Sequence, residues 1–294
     1  MELRDLMIFD TVAELGGVTR ASGQLNMVQS NVTNRIKALE HAIGTQLFVR
    51  KRTGMELTDT GAALRPYVSR ISALVREAEH VVRDVSREPS GTLRIGSMET
   101  TMAIRLPKVL VAYRAQCPKV ALEIGTGPTR QMVEQVLDGR LDCALVAGPV
   151  SEPALSEETV LREELVMVTA RGWDTLEAYL AAHPEPTALM FREGCSYRAR
   201  FLRALSECAI GQALRMEFGT LDGILGCVES DIGMSMVPRS VAEAAASRLK
   251  IDIHRMGAGG IFVDTVLVRR RDAFETRAFR AFRDTLRAAY PAPV

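Results

Sequence analysis

Seven apolar residues, Leu64, Val68, Ile71, Val75, Ala78, Val82 and Val85, follow one another at alternating spacings of four and three. A 3.5-residue repeat held over three heptads marks a helix whose apolar seam pairs with another helix. Tyr67, Leu74 and Val81 form a further column seven residues apart and widen the stripe. The run from Asp59 to about residue 87 therefore reads as one long helix, with Thr58 as its N-cap and Asp59 as an acid in the first turn. Such a helix can also pack on its own domain. Its length leaves little local core to lie on, so the spacing favours dimerisation through residues 59–88. Pro89 and Gly91 then break the helix and read as a hinge. Any fold must accommodate this divider between a short segment, 1–58, and a long one, 89–294.

The short segment is helical. Leu3, Leu6, Ile8, Phe9, Val12, Ala13 and Leu15 recur with helical period and stop at Gly16-Gly17. A second short helix fits residues 19–25, capped by Thr19. A third fits 29–41, where Val32, Ile36 and Leu39 share one face. Its opposite face presents Gln29, Ser30, Thr33, Asn34 and Lys37, side chains suited to base edges and phosphates. Helix, short turn, helix, with the second polar face free, is the helix-turn-helix arrangement. Two short apolar runs, 46–49 and 55–57, flank Arg50-Lys51-Arg52-Thr53-Gly54 and predict a hairpin with a basic tip, a wing. Between residues 20 and 52 six cations face one acid, Glu40, in a chain whose net charge is only +1. Any affinity for phosphates is thus local to this segment. A solvated charged face is the other reading of the same cluster.

Beyond the hinge, strand and helix patterns alternate. Strands are expected at 92–97, 120–125, 142–147, 163–169, 187–191, 213–218, 233–237 and 261–269. Helices are expected at 101–116, 129–138, 196–208, 220–230, 239–247 and 273–289. The alternation implies parallel sheets covered by helices, in two similar lobes with a cleft. A composition of 47% hydrophobic and 25% charged residues is that of a folded globular chain. No glycine-rich phosphate cradle is visible, which disfavours an ATPase or a dinucleotide enzyme. The five cysteines, Cys117, Cys143, Cys195, Cys208 and Cys227, and the four histidines lack metal-ligand spacing. No metal and no cofactor are expected. The start MELRDLMIF lacks the features of a secretory signal. No run approaches the roughly 18 apolar residues of a membrane span. A cytoplasmic protein with no membrane partner is expected.

The stretch LRDLMIFDTVAELGGVTRASGQLNMVQSNVTNRIKALEHAIGTQLFVRKRTGMELTDTG closely resembles the DNA-binding region of LysR-type transcriptional regulators. The match includes helix 1 (Leu3, Leu6, Phe9, Val12, Ala13), the second helix (Thr19, Arg20, Ala21) and the recognition helix (Gln29, Val32, Ile36, Leu39, Glu40). It continues through the wing (Gly44, Leu47, Phe48, Arg50) and the start of the linker helix (Leu57, Thr58, Gly61). More weakly, VLDGRLDCALV at 136–146 and FGTLDGILGCVESDIGMSMVPRSV at 218–241 are similar to that family's effector-domain signatures. The resemblance implies an α/β protein with three parts. These are a winged helix-turn-helix (1–58), a linker and dimerisation helix (59–88) and a two-lobed, periplasmic-binding-protein-like (type 2) effector domain (89–294). Lobe I would cover about 92–162 and 269–294, and lobe II about 163–268. The implied partners are double-stranded promoter DNA, a small-molecule effector, a second copy of the chain in a homodimer that builds a homotetramer, and RNA polymerase. One departure stands out. Where the family commonly has Ser-Gln-Pro-Ala at the start of the recognition helix, this chain has Val28-Gln29-Ser30-Asn31. Val28 has no capping side chain, which leaves Ser30 or Asn26 to supply the cap.

The DNA-binding candidates are Gln29, Ser30, Asn31, Thr33, Asn34, Arg35 and Lys37 on the third helix and Arg50, Lys51 and Arg52 in the wing. Glutamine and asparagine can bond adenine edges, whereas arginine and lysine position the duplex through phosphates. For the effector, α/β clefts bind ligands outside the carboxyl ends of strands. That rule selects Ser97, Glu99, Thr100, Thr101, Thr126, Thr129, Gly148, Cys195, Ser196, Tyr197, Gly219 and Thr220. Hydroxyls at helix starts suit an anionic metabolite. Plain helix capping explains each threonine equally well. Two other classes stay open. A thiol switch would use Cys195, activated by a helix N-terminus, with Cys208. However, the intervening helix would hold these two about 18 Å apart, against a disulfide limit of about 7 Å. An enzyme is the remaining class, for which no nucleophile–base pair is visible.

Overall fold

The structure, a computed structural model, describes all residues except 52–53, 84–87, 208–212, 258 and 292–294. The chain divides into two compact units. The first is Met1–Glu79 with Asp138–Arg140, and the second is His80–Leu137 with Leu141–Val294. No helix among the described residues is long and apolar enough to cross a membrane.

The first unit holds α1 (Leu3–Leu15), α2 (Val18–Gln24), α3 (Gln29–Ile43), β1 (Phe48–Lys51), β2 (Gly54–Leu57) and the start of α4 (Asp59–Arg83). Leu6, Phe9, Val12, Ala21, Val32, Ile36, Leu39 and Leu47 are buried together, and Phe9 meets Phe48 at 5.2 Å between ring centroids. β1 and β2 pair antiparallel, Phe48 opposite Leu57 and Lys51 opposite Gly54. Glu40, on α3, accepts hydrogen bonds from the N–H groups of Leu47 (2.8 Å) and Phe48 (3.3 Å), so the recognition-helix register sets where the wing begins. Gly54 has φ +139°, and a Cβ there would lie 2.3 Å from the carbonyl oxygen of Gly16. At Gly61 a Cβ would lie 2.2 Å from the carbonyl oxygen of Leu47. Both positions need glycine to let backbone approach backbone. Thr58 precedes α4, and its hydroxyl accepts from the Gly61 N–H at 3.0 Å while donating to the Gln46 carbonyl at 2.8 Å.

The apolar stripe of α4 is divided. Val68 is fully buried in the core of the first unit and Leu64 packs against the same core. Val68 therefore has no surface left for a partner helix, which corrects its place in the expected seam, whereas Leu64 is half-buried. Tyr67, Ile71, Leu74, Val81 and Val82 are exposed in the single chain, as is Ala78, and Val75 is half-buried. Val85 lies outside the described residues. The exposed column Tyr67, Ile71, Leu74, Ala78, Val81 keeps the spacing of four and three, rotated from the expected one.

The second unit is built on a seven-stranded sheet ordered β10-β6-β11-β5-β3-β4, with β9 also paired to β6. The strands are β3 (Gly91–Ser97), β4 (Val120–Thr126), β5 (Cys143–Ala147), β6 (Leu155–Ala170), β9 (Ser235–Pro238), β10 (Ile251–Arg255) and β11 (Ile261–Arg270). A separate parallel pair joins β7 (Thr187–Phe191) to β8 (Leu214–Phe218). The helices are α5 (Glu99–Ile104), α6 (Leu106–Gln116), α7 (Thr129–Leu137), α8 (Leu176–Ala182), α9 (Ser196–Glu207), α10 (Leu221–Glu229), α11 (Arg239–Ala246) and α12 (Arg277–Ala289). β3 pairs parallel with β4 and β5, but every pairing of β6 and β11 is antiparallel, so the expectation of purely parallel sheets is corrected. β10 and α8 are additions to the expected elements, and β6 begins well before residue 163. The single helix expected at 101–116 is two, α5 and α6, broken at Arg105. Pro107 explains the break, because it has no N–H for the carbonyl four residues earlier and its ring clashes there.

β6 and β11 run through both lobes. β11 pairs with lobe I strand β5 over Thr265–Val268, and its register with β6 slips between Thr265 and Val266. The lobe I core gathers Leu93, Ile95, Tyr113, Leu145, Phe279 and Phe282, with Tyr113 edge-on to Phe282 at 5.7 Å. The lobe II core gathers Leu165, Met167, Tyr179, Met190, Tyr197, Phe201 and Met236.

Candidate nucleic-acid interface and interlobe cavity

α3 buries Val32, Ile36 and Leu39 and leaves Gln29, Ser30, Asn31, Asn34 and Lys37 exposed, with Thr33 half-buried. The helix begins at Gln29 with Val28 as an extended N-cap that makes no side-chain hydrogen bond. Neither Ser30 nor Asn26 supplies the cap, which corrects that expectation. The first N–H groups of α3 consequently lack a side-chain cap at the end where a phosphate would meet them. Arg35 does not point outward with the others. Its guanidinium donates to Glu2 at 3.0 Å and to buried Asp5 at 3.1 Å, which ties α3 to the start of α1. That pairing gives Arg35 a structural role and weakens its claim as a DNA contact. Arg50 and Lys51 are exposed on β1, and Lys51 is ion-paired with Glu56 across the hairpin. Arg52 lies outside the described residues.

In the second unit a cavity of about 420 Å³ opens between the lobes. Lobe I contributes Met98, Glu99 and Thr100 after β3, Thr126 at the end of β4, and Gly127, Pro128, Thr129 and Gln131 beyond it. Lobe II contributes Phe191 at the end of β7 with Arg192, Glu193, Cys195 and Tyr197 beyond it, and Phe218 at the end of β8 with Gly219 beyond it. All four segments follow the carboxyl ends of parallel strands, where the dipoles and the loop geometry of an α/β sheet leave a crevice. Of the expected contacts, Glu99, Thr100, Thr126, Thr129, Cys195, Tyr197 and Gly219 line the cavity. Ser97, Thr101, Gly148, Ser196 and Thr220 do not. Ser97 is buried and donates to the Met98 carbonyl. Thr101 is buried away from the cavity. Gly148 spends its carbonyl on Arg200 (2.9 Å), and Thr220 caps α10 by accepting from the Gly223 N–H (3.2 Å). Phe191, Arg192, Glu193 and Phe218 are lining residues that the sequence reading misses. Arg192 and Glu193 directly follow an expected strand, so extending the strand-end rule by two residues finds them.

Several bonds cross the cleft. Glu99 Oε1 accepts from the Leu221 N–H at 2.8 Å, so the protein's own carboxylate already occupies the N-terminus of α10, an end expected to be open to a ligand. The Arg130 N–H donates to the Gly194 carbonyl at 3.3 Å, and Thr100 meets the Tyr197 hydroxyl at 3.5 Å. Burial pushes the Tyr197 hydroxyl up, which keeps it a proton donor. Burial also raises the Cys195 thiol, outweighing the N–H groups of Arg198 and Tyr197 that would lower it. Burial therefore works against an activated thiolate just before α9, and Cys208 lies outside the described residues. Among the described residues no group of three or more His, Cys, Asp or Glu side chains is placed to hold a metal ion. Arg192 forms no ion pair among the described residues and stands exposed at the cavity's edge, where its Nη2 would be 3.3 Å from a Cβ at Gly219.

Two family models match the chain: the bacterial regulatory helix-turn-helix of the LysR family over residues 3–62, and the LysR substrate-binding domain over residues 86–291. The transcriptional regulator GltR of Bacillus subtilis is 39% identical over 282 residues, covering 96% of this chain and 95% of that protein. The regulator YofA of the same organism is 37% identical over 286 residues, covering 97% and 98%. A full-length OxyR variant of Pseudomonas aeruginosa superposes with a TM-score of 0.73 at 19% identity, covering 99% of this chain and 96% of that one. Full-length CbnR, in complex with its target DNA, superposes with a TM-score of 0.69 at 22% identity, covering 98% and 100%. The chain belongs to the LysR family and is a DNA-binding transcriptional regulator with a helix-turn-helix domain and a ligand-binding domain.

Proposed function

We propose that this regulator reads operator DNA with α3 and is controlled by a small carboxylate-bearing effector held in the interlobe cavity. The observation that carries the effector class is Arg192, an arginine without an ion-pair partner among the described residues at the mouth of a cavity lined by Thr100, Thr126 and Thr129. A guanidinium offers a planar fork that matches a carboxylate, and hydroxyls can take the remaining acceptor positions. Phe191 and Phe218 supply apolar walls. A ligand that touches both lobes favours the closed arrangement in proportion to its differential affinity for that state. The binding unit on DNA is a homodimer joined through Tyr67, Ile71, Leu74, Ala78 and Val81 of α4. Further contacts between effector domains build a tetramer. The protein acts in the cytoplasm on promoter DNA, within reach of RNA polymerase.

For the DNA, Gln29, Ser30, Asn31 and Asn34 face the major groove, and Lys37, Arg50 and Lys51 neutralise phosphates. A thermal-shift screen of small carboxylates against matched amines tests the effector class, because a ligand bound only by the folded state raises its apparent stability. At least one carboxylate should raise the melting temperature of the wild type and not of Arg192→Gln. Stabilisation by amines alone, or carboxylate stabilisation indifferent to Arg192→Gln, would overturn the reading.

A further inference from the structure

α5 is the short helix whose first residues, Glu99 and Thr100, form part of the cavity wall. Its other end is held by an unusual arrangement. Arg105, at the break before α6, sends its guanidinium to Glu163 on β6, with Nε at 3.2 Å and Nη2 at 3.0 Å from Oε1. The Glu163 side chain is 4% exposed. It also accepts from Ser240 on α11 at 3.1 Å and from Thr265 on β11 at 3.3 Å. Thr265 is the last residue before the β6–β11 register slip, on a strand that pairs with both β6 and lobe I strand β5. On the lobe I side, the Tyr290 hydroxyl donates to the Arg105 carbonyl at 3.0 Å and its ring lies 5.8 Å from the guanidinium. One buried carboxylate thus joins a lobe I helix break, a lobe II helix and the crossover strand.

We propose that Arg105 and Glu163 are positioning residues for the effector cavity: a buried latch at the crossover that holds α5 so that Met98, Glu99 and Thr100 close the cavity against Tyr197 and Cys195. The physical reason is that a carboxylate this buried is stable only while paired, so α5 cannot swing away without stranding a charge. A rotation of the lobes about the crossover must carry the latch with it, and the helix between latch and cavity couples the two. This inference rests on the cavity being the ligand site, but its test needs no ligand.

Cys195 lines the cavity and reports its opening, while Cys143 is buried in the lobe I sheet and reports loss of the fold. Full-length wild type, Arg105→Met, Arg105→Lys and Glu163→Gln are pulsed with N-ethylmaleimide, and labelling at each cysteine is followed by peptide mass spectrometry. Arg105→Met should label several-fold faster at Cys195 with Cys143 unchanged. Arg105→Lys, which keeps the charge and a donor, should recover most of the wild-type rate. Glu163→Gln should fall between them. Unchanged Cys195 labelling in Arg105→Met would overturn the proposal. So would a parallel rise at Cys143, because the pair would then only hold the fold together. A failed carboxylate screen with the expected labelling would overturn the effector class and leave the latch standing.

Discussion

Val68 and Ile71 lie three residues apart on α4 but should fail in different ways. Val68 is fully buried in the core of the first unit, beside Phe9 and Leu39, whereas Ile71 is 38% exposed in the single chain. Val68→Ala removes two methyl groups at about 0.8 kcal/mol each, and the space left behind adds a smaller cavity cost, for about 2 kcal/mol in all. That amounts to about a 30-fold rise in the open population of the unit, since 1.4 kcal/mol is a factor of ten. Amide hydrogen exchange reads it directly, because core amides of α1 and α3 exchange through that opening. Val68→Ala should speed those amides about 30-fold and leave the solution mass unchanged. Ile71→Asp should leave them nearly unchanged in the monomer while placing a charge in the paired stripe, so light scattering should show loss of the dimer. A dissociated Val68→Ala with unperturbed α1 and α3 amides would refute the division of the stripe, as would an Ile71→Asp that keeps its wild-type mass.

Three further outcomes follow from the same geometry. Arg50→Ala should weaken binding to all duplexes alike and reduce the slope of log affinity against log salt by about one, as expected for a lost phosphate contact. Asn31→Ala should change which bases a selected operator tolerates, and equal losses on specific and scrambled duplexes would remove Asn31 from the base-reading set. His254 is buried with its Nε2 2.8 Å from the Thr169 hydroxyl, and desolvation lowers its pKa despite the nearby acids Asp252 and Glu177. The unfolded chain therefore takes up this proton at higher pH than the folded one, so stability should fall as pH drops through about 6.5 toward the lower folded pKa. His254→Gln should flatten that part of the melting-temperature profile, and an unchanged acid slope would assign it to other groups.

The three helices, wing and linker of the first unit are legible because each carries local signals: a 3.6-residue apolar period, glycines at two helix ends, and a basic hairpin tip. Which column of α4 stays exposed in the single chain is not legible. Spacing alone gives two interleaved columns, and only the tertiary packing of Val68 separates them. In the second unit the strand-end rule finds the cavity, since loops after β3, β4, β7 and β8 all reach it. It overreaches at Thr220 and Gly148, whose polar groups are used within the protein, and falls short at Arg192. β10 escapes notice because only Ile251 and Ile253 of its five residues are apolar, and the start of β6 because Ser156, Glu157 and Glu158 make it read as polar. The pairing of Arg105 with Glu163 spans 58 residues of sequence, and no local pattern announces a contact at that range.

The most direct test of ligand control is a footprint. Duplexes selected from a random pool by the full-length protein are footprinted with and without the carboxylate that stabilises it best. The ligand should shift or shorten the protected region, because closing the lobes changes how the two DNA-reading units of the oligomer are held, and Arg192→Gln should show the ligand-free footprint under both conditions. An identical wild-type footprint at saturating ligand would contradict control of DNA binding through the interlobe cavity.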